Sequence, residues 1–279
     1  MKIRIFMLAF TVGFVFCFLG AVFFVFRFSE EKEPEEPKEE QNIFLEDDRA
    51  VFLLIHKNEE NFGPFTLVNL DASKGRIPVF TFSEKAALDY GGVDISAGEL
   101  FSSVSPEVFA GTIETNLGIE LAGYFIWNRE SAEKIISETG PFDYILPEDI
   151  KYSEGTKYVN LISGVQNMTG KKICDIVECP YFSESERCDV FSRITAAFLN
   201  RRLPRFLPES GVYAAIFNYT ETDITAFDKE RWAKLVTVLC GSGKSLSGHI
   251  TNDTERDPYG GLIYFSENTK KRVKKYFGE

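Results

Sequence analysis

Residues Ile5 to Phe26, IFMLAFTVGFVFCFLGAVFFVF, hold no charged side chain. A helix of that length at about 1.5 Å per residue spans roughly 33 Å, enough to cross the hydrocarbon core of a bilayer with some tilt. A globular helix as long would present a polar face, and this run has none. It therefore reads as a transmembrane helix. Lys2 and Arg4 precede it, and Arg27 is followed by the acidic stretch SEEKEPEEPKEEQ. Basic flanks favour the cytoplasmic side, which puts the N-terminus inside and the rest of the chain outside. No small-x-small cleavage site follows and the run is long for a signal peptide, so it reads as a retained signal anchor. Cys17 lacks the small residue just before it that lipoprotein processing needs. The expected organisation is a cytoplasmic tail (1–4), a single-pass anchor (5–27), a stalk (28–46) and an extracytoplasmic body (47–279). The stalk places Pro34 and Pro37 among like charges and is expected to be extended and solvated.

The formal charge of the chain is −11, and residues 1–27 carry three basic residues and no acid, so the remainder stands at −14. Such a surface argues against a nucleic-acid partner and against tight docking on anionic lipid. Cys174, Cys179, Cys188 and Cys240 lie beyond the anchor. Outside the cytoplasm they could form one or two disulfides, with three pairings open for four cysteines, or stay as buried thiols. No C-x-x-C spacing exists, and His56 and His249 stand alone in the sequence, which weakens a zinc reading.

The body alternates strand and helix signals. Ala50–Ile55 reads as a buried strand, and Thr66–Asp71 and Ile77–Phe82 flank a turn as a hairpin. Pro106–Leu117 is expected to be helical and Ala122–Trp127 extended. Asn128 or Ser131 caps a helix that stops at Gly140-Pro141, and Tyr144–Leu146 is extended again. In GVQNMTGKKICDIVECP, residues 164–180, Ile173, Ile176 and Val177 read as a strand ending at Glu178 and Pro180. A helix follows with Val190, Ile194, Ala197 and Phe198 on one face, closed by Arg201, Arg202 and Pro204. Val212–Phe217 reads as a strand, Phe227–Cys240 as a helix, Leu262–Phe265 as a strand, and NTKKRVKKYF as a basic closing helix. This order predicts an α/β fold with a mixed central sheet and helices on both faces.

Several motifs fail on inspection. GSGKS at 241–245 lacks the upstream glycine of a phosphate-binding loop, that position being Val238, and follows a helix instead of a strand. The N-x-T triplets at Asn167, Asn218 and Asn252 are chance matches to a glycosylation site in a chain of this size. The KKRVKK cluster reads as the solvated face of a terminal helix. There is no G-x-S-x-G and no H-E-x-x-H, and two histidines leave few candidates for histidine acid–base chemistry.

The pattern L-x-x-G-x-Q-x-L-x-G occurs as Leu161, Gly164, Gln166, Met168 and Gly170. Upstream stand TIETNLGIELAGYFIW and KIISETGPFDYILPED, and the chain closes on SGHITNDTERDPYGGLIYFSENTKK. In this order, behind a membrane anchor, these segments resemble the LytR-CpsA-Psr family from about Ala50 to the C-terminus. The resemblance implies an outward-facing, membrane-anchored domain that moves a glycopolymer from a polyprenyl diphosphate carrier to peptidoglycan. Magnesium and several arginines hold the diphosphate in that family, and an apolar tunnel holds the lipid tail.

The resemblance breaks at those arginines. The family's Arg-x-Arg places hold Glu178 and Pro180. The arginine of its Ser-Ile-Pro-Arg-Asp loop falls on Glu84, within Thr81–Lys85. The first strand's aspartate falls near Lys57, its Arg-x-Asp-Thr near Asn61, Gly63 and Pro64, and its late Arg-x-x-Arg-Gln leaves Arg193, with Asp189 on the same helix. A unit charge pair at 4 Å is worth about 4 kcal/mol at an effective dielectric near 20, so replacing clamping arginines by acids reverses several such interactions. Three expectations remain open. One is a domain that binds a polyprenyl-phosphate lipid or wall glycopolymer, or partners an active paralogue, without the usual catalysis. Another is a divergent phosphotransferase using magnesium and carboxylates such as Glu84 and Glu178. The last is an unrelated anchored sensor or adhesion module. Candidate ligand-binding residues are Glu84, Glu178, Arg193 and Asp189, with no catalytic residue assigned. Apart from the magnesium implied by the resemblance, no cofactor is called for.

Overall fold

The computed structural model describes residues 49–58, 62–154, 157–207, 212–241, 247–251, 253–256 and 261–278. The candidate anchor, the stalk and most of GSGKS lie outside these residues. Among the described residues no helix is long and apolar enough to cross a membrane.

In chain order the elements are β1 (Arg49–Lys57), β2 (Phe62–Asp71), β3 (Ile77–Phe82), β4 (Ala87–Tyr90), β5 (Val93–Ser96), α1 (Ala97–Ser103), α2 (Pro106–Leu117), β6 (Gly123–Trp127) and α3 (Arg129–Thr139). There follow β7 (Phe142–Leu146), β8 (Ile150–Glu154), β9 (Lys157–Leu161), β10 (Gly164–Met168), α4 (Gly170–Val177), α5 (Glu184–Arg202) and α6 (Val212–Tyr219). The chain closes with β11 (Glu221–Thr222), α7 (Ala226–Gly241), β12 (Ser247–His249), β13 (Thr254–Arg256), β14 (Ile263–Phe265) and α8 (Glu267–Val273).

The central sheet has the order β11-β6-β1-β2-β3-β12. β1, β3, β6 and β12 run one way, while β2 and β11 run against them. This is the mixed sheet the alternation predicts. Its central strands are apolar on successive residues because both faces are covered. Val51, Leu53 and Ile55 turn to one side, where α1, α2 and the turn Lys274–Gly278 that follows α8 supply Leu100, Phe109 and Phe277. Ala50 and Phe52 turn to the other, where α5 and α7 supply Ala196, Trp232 and Leu235. A second core gathers the β7–β10 pair and the β8–β9 hairpin against α3, α4 and α5 around Phe142, Met168, Ile176 and Ile194.

Two segments expected as strands are helices. Ile173, Ile176 and Val177 stand at i, i+3 and i+4, one helical face, and the Thr169 hydroxyl caps the first turn by accepting from the Lys172 amide. The strand of that stretch lies earlier, at Gly164–Met168, paired antiparallel with β7. Val212–Phe217 likewise belongs to α6, whose apolar residues face α3 and the sheet instead of neighbouring strands. The motif glycines have definite jobs. Gly164 sits at φ +103°, a region costly for other residues. A Cβ on Gly170 would lie 2.5 Å from the Ala132 backbone, so glycine lets α4 press against α3. The four body cysteines are free, against the disulfide expectation: Cys174, Cys179 and Cys188 are buried and Cys240 half-buried.

Candidate ligand-binding site

A polar pocket of about 760 Å³ opens where β1, β3 and β6 end. The carboxyl ends of strands in an α/β sheet are the usual ligand crevice, because loops and helix ends converge there. Lys57 and Asn58 end β1, Glu84 follows β3, and Asn128 and Arg129 follow β6. Glu178 comes from the end of α4 and Arg187 from the first turn of α5.

Each guanidinium is held by two acids. Arg129 donates to Asp175 Oδ1 at 2.8 Å and to Glu178 Oε2 at 2.7 Å. Arg187 Nη2 donates to both oxygens of Glu84 at 2.7 and 2.8 Å and to Glu184 Oε2 at 2.9 Å. Glu184 also accepts from the Ser83 hydroxyl at 2.6 Å and from Lys85 Nζ at 2.7 Å. Arg129 stands at a helix N-terminus and Glu178 at a helix C-terminus, each opposite to what the helix dipole prefers. Their mutual pairing offsets that placement. Burial pushes the Glu178 carboxyl up, but His56 and Arg129 outweigh it and hold it below the usual carboxylate range. Glu184 behaves alike: burial opposes its charge, and Lys85, Ser83 and Arg187 override the burial.

Behind Glu178 sits His56, fully buried and packed on Trp127 with ring centroids 4.4 Å apart. Its Nδ1 donates to the Gly63 carbonyl at 3.1 Å. Its Nε2 faces Glu178 Oε1 at 3.6 Å, ion-pair range but too long for a hydrogen bond. Cys174 Sγ completes the group: one ligand atom from each of His56, Cys174 and Glu178 lies within 4.8 Å of the others. Burial, then the Glu178 charge, push the Cys174 thiol up to about 12.

Next to the polar pocket lies an apolar cavity of about 240 Å³, between the β1–β2–β6 face of the sheet and α3, α5, α6 and α7. The two share elements at successive positions. Trp127 lines the cavity and Asn128 the pocket, while on α5 Phe191 lines the cavity one turn from Arg187. Its wall is almost wholly hydrocarbon, with Phe52, Ile194, Phe217 and Trp232 among the side chains that line it.

Of the residues the sequence nominates, Glu84 and Glu178 meet in the polar pocket. Arg193 and Asp189 lie outside its lining, paired with each other across one turn of α5, and Asp189 faces His249 Nε2 at 3.7 Å. The sequence reading misses Arg129, Arg187, His56 and Cys174. Arg129 and Arg187 look like ordinary helix-start charges, and His56 meets its partners only through the fold. The two carboxylates nominated for magnesium are engaged elsewhere: both oxygens of Glu84 accept from Arg187 and Glu178 Oε2 accepts from Arg129, while the ligand atoms gathered by Glu178 Oε1 are an imidazole and a thiol, not the oxygens magnesium demands.

No family model matches the sequence, and no curated protein matches it. Solved structures do. A transcription-regulator candidate from Eubacterium siraeum superposes with TM-score 0.73 at 14% identity, covering 83% of this chain and 92% of the other. A LytR-Csp2A-Psr enzyme from Actinomyces oris gives TM-score 0.64 at 13% identity, over 82% of this chain and 89% of that one. TagT bound to LI-WTA gives 0.62 at 12% identity, over 84% and 92%. The chain therefore has the LytR-CpsA-Psr-like fold that its ordered motifs suggest.

Proposed function

We propose that this chain is a membrane-anchored, extracytoplasmic LytR-CpsA-Psr-like domain of a bacterial envelope. It binds a polyprenyl-phosphate lipid, or a wall glycopolymer carried on one, without the usual phosphotransfer. The observation that carries this reading is the hydrocarbon-walled cavity continuous in its elements with a polar pocket, a shape suited to a ligand with an apolar tail and a polar head. A similar fold holding LI-WTA, in TagT, supports it. The pocket lining carries three cations, Lys57, Arg129 and Arg187, against three acids, Glu84, Glu130 and Glu178. Asp175 and Glu184 add negative charge behind the arginines. Transfer from a diphosphate needs fixed positive charge that strengthens on a developing leaving group. Guanidinium groups already neutralised by two carboxylates each supply little of it.

Native mass spectrometry of the full-length chain offered polyprenyl phosphate is expected to find one bound lipid, lost in Ile216→Trp, which fills the cavity. A chain that never retains an isoprenoid refutes the reading.

The presence of Arg129 and Arg187 in the pocket favours one second reading, a divergent phosphotransferase. Incubation with a polyprenyl diphosphate and magnesium decides between them. No monophosphate release is expected; release that disappears in Arg187→Ala establishes the transferase instead.

A further inference from the structure

We propose that His56, Cys174 and Glu178 form a binding site for a borderline-soft divalent ion of the zinc class. The site is independent of whichever lipid occupies the cavity. Its strongest sign is the orientation of His56. A carbonyl oxygen only accepts, so the 3.1 Å contact with Gly63 places a proton on Nδ1 and turns Nε2 inward as the ring nitrogen that can meet a metal. Nε2 is completely buried and has no hydrogen-bond partner among the described residues. An Nδ1–H donated to a backbone carbonyl is how metal-bound histidines are oriented from behind.

The other two donors are placed to match. Cys174 projects from the second turn of α4, and Glu178, one turn on, brings its carboxylate to the same spot. Glu178 divides its oxygens: Oε2 accepts from Arg129, while Oε1 faces His56 Nε2. Arg129 thus orients Glu178 as Gly63 orients His56. Tetrahedral zinc with bonds of about 2.0–2.3 Å sets neighbouring ligand atoms roughly 3.5 Å apart, so a group already within 4.8 Å closes with side-chain shifts of about 1 Å. Nitrogen, sulfur and one carboxylate oxygen are the donors of zinc and its neighbours, and not of magnesium or calcium. Three protein ligands leave a fourth position, and Glu178 is the ligand that lines the polar pocket. Binding forms the sulfur–metal bond as the Cys174 proton passes to solvent, so affinity falls as pH is lowered.

The test uses the full-length chain in detergent, stripped with a chelator and dialysed against zinc or cobalt. One zinc per chain is expected by elemental analysis, and cobalt in its place should give thiolate-to-metal charge-transfer absorption. Cys174→Ser and His56→Ala should weaken zinc by more than the roughly 10- to 100-fold that loss of a supporting partner costs. Cys240→Ser should leave it unchanged. Circular dichroism confirms that each variant is folded. Because both residues are buried, the unsubstituted chain gives a reading that needs no variant: folded protein that takes up cobalt without a thiolate band overturns the proposal. So does folded protein that holds no stoichiometric metal, or zinc held equally well by folded Cys174→Ser.

Discussion

Arg187 is the residue whose surroundings say most about this site. Its side chain is 17% exposed and satisfies Glu84, from the far side of the sequence, together with Glu184 one turn back. Removing it leaves the partly buried Glu84 carboxylate without its counter-charge and facing Glu184, which keeps only Lys85. Arg187→Ala is therefore expected to cost about 1–3 kcal/mol in urea denaturation, and Arg187→Lys to recover only part, since all three contacts are made by Nη2, one bond further from the backbone than a lysine Nζ. The same contacts set an acid limit. Glu184 is held below its ordinary pKa of 4.5 in the folded chain, so the folded state binds fewer protons there than the unfolded state. The stability it contributes is complete above the unfolded value and drains away as pH falls through the folded one. Melting temperature should thus fall below about pH 4.5, and Glu184→Gln should flatten that fall while lowering stability at neutral pH.

At the scale of elements, two glycines make opposite predictions. Gly170 opens α4 where a Cβ would strike the Ala132 backbone, so Gly170→Ala forces α3 and α4 apart and should cost about 1–3 kcal/mol. Gly111 lies inside α2 with nothing within 4 Å of where a Cβ would stand, so Gly111→Ala should stabilise by about 0.5–1 kcal/mol. Thermal or urea melts of the two variants check both signs. The contrast also marks what the sequence could disclose. Pro106–Leu117 was legible to the residue because a proline start, a Ser105 cap and a glycine stop all agree. Residues 173–177 and 212–217 were not, because short apolar runs buried against several neighbours look alike in either conformation. At the site, Glu84 and Glu178 could be nominated from the motifs that resemble the family's, and both line the polar pocket. That Arg129 and Arg187 enter the same pocket from other elements could not be read there. Those contacts join residues 49 and 103 positions apart, and no periodicity spans such distances.

For the molecule as a whole, the apolar cavity is the feature with the largest thermodynamic consequence. Its hydrocarbon wall, around about 240 Å³, can take a bound isoprenoid tail out of water at roughly 25 cal/mol per Å² of apolar surface buried. A ligand that binds only the folded chain stabilises it by about 2.7 kcal/mol when present at 100 times its dissociation constant. In a body of this size that corresponds to a rise in melting temperature of about 5–10 °C. Full-length protein stripped of lipid by detergent exchange should accordingly melt lower than protein resupplied with polyprenyl phosphate. Ile216→Trp places an indole in the cavity, so it should melt above stripped wild type and gain nothing on resupply. Short-chain isoprenyl phosphates should stabilise wild type less than long-chain ones, because the tail, and not the phosphate, fills the space. Inorganic phosphate, which can reach only the polar pocket, should raise the melting temperature little against the acids already paired with Arg129 and Arg187. If phosphate alone stabilises as well as the lipid, the cavity is not where the ligand binds, and the guanidinium groups are freer to grip an anion than their hydrogen bonds imply.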